Sequence, residues 1–86
     1  MIRLLGTQAA CGTSTGAAST FGGSNAVRLF NSGTAVHLVT LEKADGTDIG
    51  TISINAKADV ILRKSPTDKI FAANAAVLGV AVGFHY

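Results

Sequence analysis

The side chains best suited to acid–base, nucleophilic or metal chemistry are few in this sequence. The histidines are His37 and His85, the one glutamate is Glu42, and the one cysteine is Cys11. A zinc site takes three or four Cys or His ligands, and these three candidates are spread widely along the chain. No Gly-x-Ser-x-Gly motif supports a Ser-His-Asp arrangement. We therefore expect no enzyme activity, no metal and no cofactor.

Two short motifs could be taken for ligand sites. Residues 12–16 are bounded by glycines but lack the Gly-Lys-Ser/Thr ending of a phosphate-binding loop. Residues 45–48 contain two aspartates, whereas a helix-loop-helix calcium site needs more oxygen ligands and a closing glutamate. Asp-Gly at residues 45–46 is instead a strong hairpin cue. The second motif therefore predicts a tight turn.

The lone cysteine bears on redox chemistry rather than on catalysis. One cysteine cannot form an internal disulfide, so the fold does not depend on an oxidising compartment. A buried Cys11 acting as a small apolar side chain is the favoured interpretation, and a reactive or intermolecular thiol is the alternative.

The composition predicts that another chain covers part of the surface. Charged residues make up 14% of the chain, where a soluble domain usually carries roughly 25%. A chain of this size exposes roughly 4,700 Å² when folded. A free monomer seldom exposes an apolar patch larger than roughly 300–600 Å². Either Ser, Thr, Asn and Gly cover this surface or another chain covers part of it, and we expect both.

Nucleic acid and membranes are not expected partners. The net charge is +2, the basic residues are scattered, and the chain has no tryptophan. The longest apolar stretch, residues 75–84, is half of the roughly 20 residues that a membrane helix needs. The apolar run that follows Arg3 is too short for a signal peptide. We expect a product that is made in the cytosol and stays there until it meets its partners.

The chain divides into two regions. Residues 1–25, the arm, are rich in Gly, Ala, Ser and Thr, and no charge lies between Arg3 and Arg28. Such a segment has little apolar area to offset an ordering cost of about 1–2 kcal/mol per residue. We predict an arm or long loop that orders on contact, with a mobile linker or a poorly patterned strand as the alternative.

Residues 26–86 alternate with period two and predict a β-sandwich domain. The fold class is all-β: a small antiparallel sandwich or barrel of about six or seven strands, one or two of them from the arm. Residues 70–74 fit either a short helix or an edge strand. The predicted strands cover residues 27–31, 35–43, 49–54, 59–64 and 77–86.

The last predicted strand carries large residues on one face and small ones on the other. We expect Leu78, Val80, Val82 and Phe84 to face the core, and Gly79, Ala81 and Gly83 to face outward. Glycine in a strand often marks the close approach of another chain. The candidate interface residues are Phe21, Gly22, Gly23, Phe71, Gly79 and Gly83.

Three segments carry a family resemblance that extends over roughly residues 21–86. They are VRLFNSGTAVHLVTL at residues 27–41, GTDIGTI at residues 46–52 and LRKSPTDKIFA at residues 62–72. In their local amino-acid sequence these segments resemble small virion proteins of tailed bacteriophages. The resemblance implies a β-sandwich that decorates an icosahedral head or sits in the tail. It also implies partners among the virion proteins, above all the major capsid protein, and a final location in the virion.

These observations leave three function hypotheses. The leading one is a capsid decoration, or cement, protein that binds the outer shell as a homo-oligomer, with a trimer favoured. The second is a tail, adaptor or fibre-base component. The third is a carbohydrate- or host-surface-binding module, which usually needs exposed aromatic side chains, and this chain has one Tyr and four Phe.

Overall fold

The fold is described by a computed structural model that covers residues 2–83. Eight strands and one short 3₁₀ turn at Thr15–Ala17 make up its regular structure. Among these residues no helix is long and apolar enough to cross a membrane. In chain order the strands are β1 (Arg3–Leu4), β2 (Ala9–Ala10), β3 (Ala26–Asn31), β4 (His37–Glu42), β5 (Asp48–Ile54), β6 (Asp59–Arg63), β7 (Lys69–Ala72) and β8 (Val77–Gly83).

The strands form two antiparallel sheets. The first sheet has the order β1-β8-β3-β6. Strands β1 and β2 both pair with the same edge of β8, β1 with residues 82–83 and β2 with residues 78–79. The second sheet has the order β5-β4-β7. This architecture confirms the predicted all-β sandwich. The ambiguous segment at residues 70–74 contributes strand β7, so its helical alternative is wrong.

The core fills the space between the two sheets. From the first sheet it receives Val27 and Leu29 of β3, and the partly buried Val60 and Leu62 of β6 pack against it. The second sheet contributes Val39 and Leu41 from β4 together with Ile54, Ile70 and Ala72. Both patterns follow from strand alternation, because every second side chain points to the same face.

Strand β8 corrects the face assignment made from the sequence. Its register pairs Val27 with Ala81 and Leu29 with Gly79, so the small residues of β8 face the core. Val80 and Val82 lie on the other face, where they form a separate buried cluster with Ala26. The prediction that the large residues point inward is therefore wrong, and Phe84 lies outside the described residues.

A side chain of the arm fills the space that the small residues of β8 leave. A Cβ built on Gly79 would lie 2.7 Å from two atoms of the Phe21 ring and 3.2 Å from Leu29. The close approach predicted at Gly79 therefore comes from Phe21 of the same chain rather than from a neighbouring subunit. Phe21 itself adopts a left-handed backbone, with φ of 52°, followed by two left-handed glycines.

The arm runs along one side of the sandwich. Its first two strands pair with β8, and further on Ser19 bridges Ile70 of β7. The Gly12 carbonyl accepts a hydrogen bond from Ala72 at 2.9 Å, so the arm joins the edges of both sheets. These bonds use the arm's backbone, which explains how a segment with so few apolar side chains lies on the sandwich.

A buried asparagine ties the two sheets together. Asn31, at the end of β3, is fully buried. Its side-chain amide donates to the carbonyls of Ile54 at 2.9 Å and Ala35 at 2.8 Å, and its side-chain oxygen accepts from Gly33 at 2.9 Å. One side chain thus satisfies three backbone groups around the crossing from the first sheet to the second.

The predicted hairpin at residues 45–48 is confirmed. Gly46 has φ of 92°, a left-handed backbone that glycine adopts without steric cost. The Asp45 carboxylate accepts a hydrogen bond from the Thr47 backbone at 2.9 Å, and this bond lowers the pKa of Asp45. The same turn sets the register of β4 against β5.

Candidate interaction surface

The outward face of the first sheet combines eight apolar residues with three charged ones. Strand register places its residues side by side: Val82 beside Leu4, Val80 beside Arg28, and Arg28 beside Ile61. Val80 and Val82 are buried, whereas Leu4 is 65% and Ile61 39% exposed. We call this surface the outer face. Its members are Leu4, Ala10, Ala26, Arg28, Phe30, Asp59, Ile61, Arg63, Leu78, Val80 and Val82.

Arg28 lies in the middle of the outer face and is held in place on three sides. Its Nε donates to the Asp59 carboxylate at 3.0 Å, and its Nη1 lies 3.4 Å from the Gln8 side-chain oxygen. Its guanidinium carbon is 5.6 Å from the centre of the Phe30 ring, a cation–π distance. The Arg28 charge is therefore held in one place by these contacts, although its side chain is still 32% exposed.

Two shallow depressions flank Leu5, an arm residue that is 52% exposed. The first, about 320 Å³ in volume, is lined by three predicted interface residues, Phe21, Gly22 and Gly79. The second, about 420 Å³, is lined by two more, Gly23 and Gly83. It also includes three residues of the outer face, Ala26, Arg63 and Val82, and therefore continues that face.

The sixth predicted interface residue, Phe71, lies elsewhere. It is half-buried on β7 of the second sheet, directly opposite Thr40. The structure thus brings five of the six predicted residues to one end of the first sheet and leaves Phe71 on the other layer. Of the five, Gly79 is buried beneath Phe21, so only its neighbours can meet a partner.

The predicted set missed the residues that dominate the outer face. Leu4, Arg28 and Ile61 received no role, because the sequence shows which residues share a face but not whether that face is covered. One available signal was the pattern of β6, in which Ile61 points away from the inward pair Val60 and Leu62. An apolar Ile61 that points away from the half-buried Val60 and Leu62 indicates a surface that another molecule can cover.

The outward side of the second sheet holds a buried carboxyl group. Glu42 on β4 is fully buried, and its Oε2 accepts a hydrogen bond from the Thr15 hydroxyl at 3.3 Å. Within residues 2–83 its Oε1 has no hydrogen-bond partner. The 3₁₀ turn of the arm lies against this part of the sheet, so this end of the second sheet is closed by the arm.

The remaining candidates for chemistry do not assemble. His37 is half-buried on β4, Cys11 is buried at the end of β2, and His85 lies outside the described residues. Within residues 2–83 no three His, Cys, Asp or Glu side chains form a group that could hold a metal ion.

Cys11 provides a test of how firmly the arm is seated. Its side chain belongs to the main core, and burial raises the pKa of the thiol from 9.0 to about 11. The unfolded chain therefore loses this proton first, so the stability contributed by the buried thiol is full below pH 9 and falls between pH 9 and 11.

We expect a thiol reagent to modify Cys11 slowly at pH 8 in the folded protein and rapidly in denaturant. The stability difference between the parent chain and Cys11→Ala should shrink as the pH rises from 9 to 11, as measured by urea unfolding. Equal reaction rates in the folded and unfolded states would show that the arm does not hold Cys11 in the core.

The chain was compared with protein-family models, curated proteins and solved structures, and none of the three comparisons gave a match.

Proposed function

We propose that this protein is a structural component of a bacteriophage virion, a decoration protein that binds the outer surface of the head and stabilises it. The observation that carries the proposal is the apolar outer face of the first sheet, with Leu4 65% exposed beside a buried Val80–Val82 cluster. The partner is the major capsid protein or another protein of the shell.

The composition of the outer face supports binding to a protein. Interface cores are enriched in arginine and aromatic residues and depleted of lysine and glutamate. The outer face holds Arg28, Arg63 and Phe30, and the residues that strand register assigns to it include neither lysine nor glutamate. Arg28 is already held by Asp59 and Phe30, so little side-chain freedom is lost when a partner covers it.

The nature of the assembly comes from the sequence resemblance at residues 27–41, 46–52 and 62–72. A flat sheet face suits a protein that lies across the surface of a shell and bridges neighbouring subunits. The mechanism is mass action: a protein that binds only the assembled shell stabilises that state in proportion to its occupancy. Many copies with modest affinity are enough for this effect.

The outer face is tested by one charge placed at its exposed edge. We expect Ile61→Glu to weaken binding to heads by roughly 30-fold or more, because the partner would desolvate the new carboxylate without pairing it. The measurement is co-sedimentation with heads of the encoding virus that lack this protein. The matched control is Leu38→Glu, since Leu38 is 44% exposed on the outward face of the second sheet.

Two results would count against the proposal. Ile61→Glu and Leu38→Glu could weaken binding equally, which would exclude the outer face as the contact surface. Particles that lack the protein could also survive heating as well as complete particles, which would exclude a stabilising role. The number of copies per particle separates head from tail. A number as low as that of tail parts, rather than one matching the many equivalent sites of a head, would favour a tail component.

A further inference from the structure

The lateral edges of the two sheets are protected to very different degrees. The β8 edge is covered by β1 and β2, and the β7 edge is met by Ser19 and Gly12 of the arm. The β6 edge is open but begins and ends with charged residues, Asp59 and Arg63. Charged ends discourage unwanted strand pairing. The fourth edge belongs to β5.

The backbone groups that β5 turns outward can be identified from its neighbour. Ala73 donates to the Leu38 carbonyl at 2.8 Å, so the backbone of Leu38 points toward β7. Backbone groups alternate in direction along a strand, so the N–H and C=O groups of Val39 point toward β5. There they form hydrogen bonds with the backbone of its register partner, Ile52. The next residues of β5, Thr51 and Ser53, therefore direct their N–H and C=O groups away from the sheet.

The two safeguards against strand pairing on this edge both lie at its first residues. Asp48 is charged, and the register shift opposite Leu41 and Glu42 leaves Ile49 without a partner on β4. Residues 50–54 include no charge and no proline. Ile49 is 49% and Ile52 39% exposed. The apolar remainder of the edge is a template for another strand.

We propose that β5 pairs with β5 of a second copy of this chain, antiparallel and centred on Thr51. In this register Thr51 lies opposite the second copy's Thr51, and Ile52 lies opposite the second copy's Gly50. The outward groups of the two Thr51 residues face one another, which is the condition for a hydrogen-bonded pair. A two-fold axis through Thr51 makes the contact self-complementary and closed.

Side-chain size fits this register on the inward face. A Cβ built on Gly50 would meet nothing within 4 Å, so the backbone there is uncovered. Gly50 and Ile52 line an apolar cleft of about 190 Å³ that also includes Leu41 and Leu62 and opens between β5 and β6. In the pair, the second copy's Ile52 covers Gly50 at the rim of this cleft, and the reverse contact forms by symmetry.

Charge selects the antiparallel direction. Asp45 and Asp48 lie with Lys43 at the start of β5, where two carboxylates against one ammonium leave this end acidic. Lys57 follows the end of β5 and donates from its Nζ to the Ser32 carbonyl. All four charged residues are exposed. An antiparallel pair sets the acidic end of one copy beside the basic end of the other, where opposite charges attract. A parallel arrangement would instead bring acid to acid and base to base. The occupant that the edge fits best is therefore a second copy.

This pairing goes beyond the proposed function, because it is a property of the isolated chain. Its test needs no virus particle, so its failure would leave head binding intact, and the reverse also holds. A two-fold pair differs from the trimer that the leading hypothesis favours. One strand pair buries less than the roughly 1,200 Å² of a stable interface, so solution mass should be measured up to millimolar concentration.

The decisive experiment places charges on the two-fold axis. Thr51 is exposed, so Thr51→Lys and Thr51→Glu leave the monomer fold intact. Each variant alone should dimerise at least roughly fivefold more weakly than the parent chain, because like charges lie directly opposite. An equal mixture of the two should recover the parent affinity through mixed pairs. Sedimentation equilibrium measures all four samples.

Cysteine cross-linking reads the register independently. Thr51→Cys should give a disulfide-linked dimer on oxidation, because paired Cα atoms lie about 5.5 Å apart. Ser53→Cys should give no such dimer. In this register Ser53 lies opposite the second copy's Ile49, so the Cα atoms of the two Ser53 residues are about 14 Å apart. The proposal fails if the parent chain stays monomeric at millimolar concentration, if the mixture associates no better than its components, or if Ser53→Cys cross-links as readily as Thr51→Cys.

Discussion

Asn31→Asp is expected to remove between about 3 and 5 kcal/mol of folding free energy, most of what a small domain possesses. The change keeps the shape of the side chain and replaces an amide that donates to Ile54 and Ala35 with a carboxylate that cannot. Two carbonyl oxygens then face a buried negative charge. Each lost donor costs about 1–3 kcal/mol, and the unpaired charge adds to this.

Thermal and urea unfolding by circular dichroism measure the loss, which corresponds to a lower Tm by roughly 15–30 °C. The matched control is Asn74→Asp. Asn74 is exposed, and its side-chain oxygen accepts from Ala76 at 2.8 Å, a role that a carboxylate also fills. The control should change stability by less than about 0.5 kcal/mol.

A second measurement separates the lost hydrogen bonds from a change in shape. Protonation of the new carboxyl restores one donor, and burial without a donor raises its pKa in the folded state above the unfolded value. The stability gap between Asn31→Asp and the parent chain should therefore narrow as the pH falls from neutral toward about 4, and change no further below the unfolded pKa. A variant as stable as the parent chain at neutral pH would show that Asn31 does not tie the two sheets together.

Gly79→Val is expected to destabilise the fold by about 2–4 kcal/mol. The new Cβ would stand 2.7 Å from the Phe21 ring and 3.2 Å from Leu29, so the ring must leave its position on β8. The cost combines strain in the core with lost packing of Phe21. Gly6→Val serves as the control, because a Cβ on Gly6 meets nothing within 4 Å.

The double variant Phe21→Ala with Gly79→Val distinguishes a steric conflict with the Phe21 ring from a destabilising effect of valine itself at position 79. Phe21→Ala empties the space above β8, and the valine of Gly79→Val can then fill it. The double variant should therefore be within about 1 kcal/mol of Phe21→Ala alone, rather than showing the sum of both losses. Additive losses in urea unfolding would mean that Phe21 does not occupy the space beside Gly79.

The sequence by itself determined the fold class and the strands of the second region. Alternation of apolar residues located β3, β4, β5, β6 and β8 to within a few residues at each end. Asp-Gly at residues 45–46 located the β4–β5 hairpin. These features are local, because strand alternation and turn chemistry depend on neighbouring residues alone.

The sequence did not determine which face of β8 meets the core. Alternation separates Leu78, Val80 and Val82 from the small residues between them, but either set can point inward. The choice depends on what approaches from outside the strand, and here Phe21 of the arm brings its ring to Gly79. Contact between residues so far apart in the chain leaves no local pattern to detect.

The position of the arm and the exposure of the two proposed interaction surfaces were likewise decided by tertiary structure. The arm follows the edges of β8 and β7 through backbone hydrogen bonds, which every residue type except proline can donate, so its composition gave no sign of this path. Its course covers two sheet edges and leaves β5 open. The apolar outer face and the free β5 edge follow from that course, because exposure depends on where the whole chain lies.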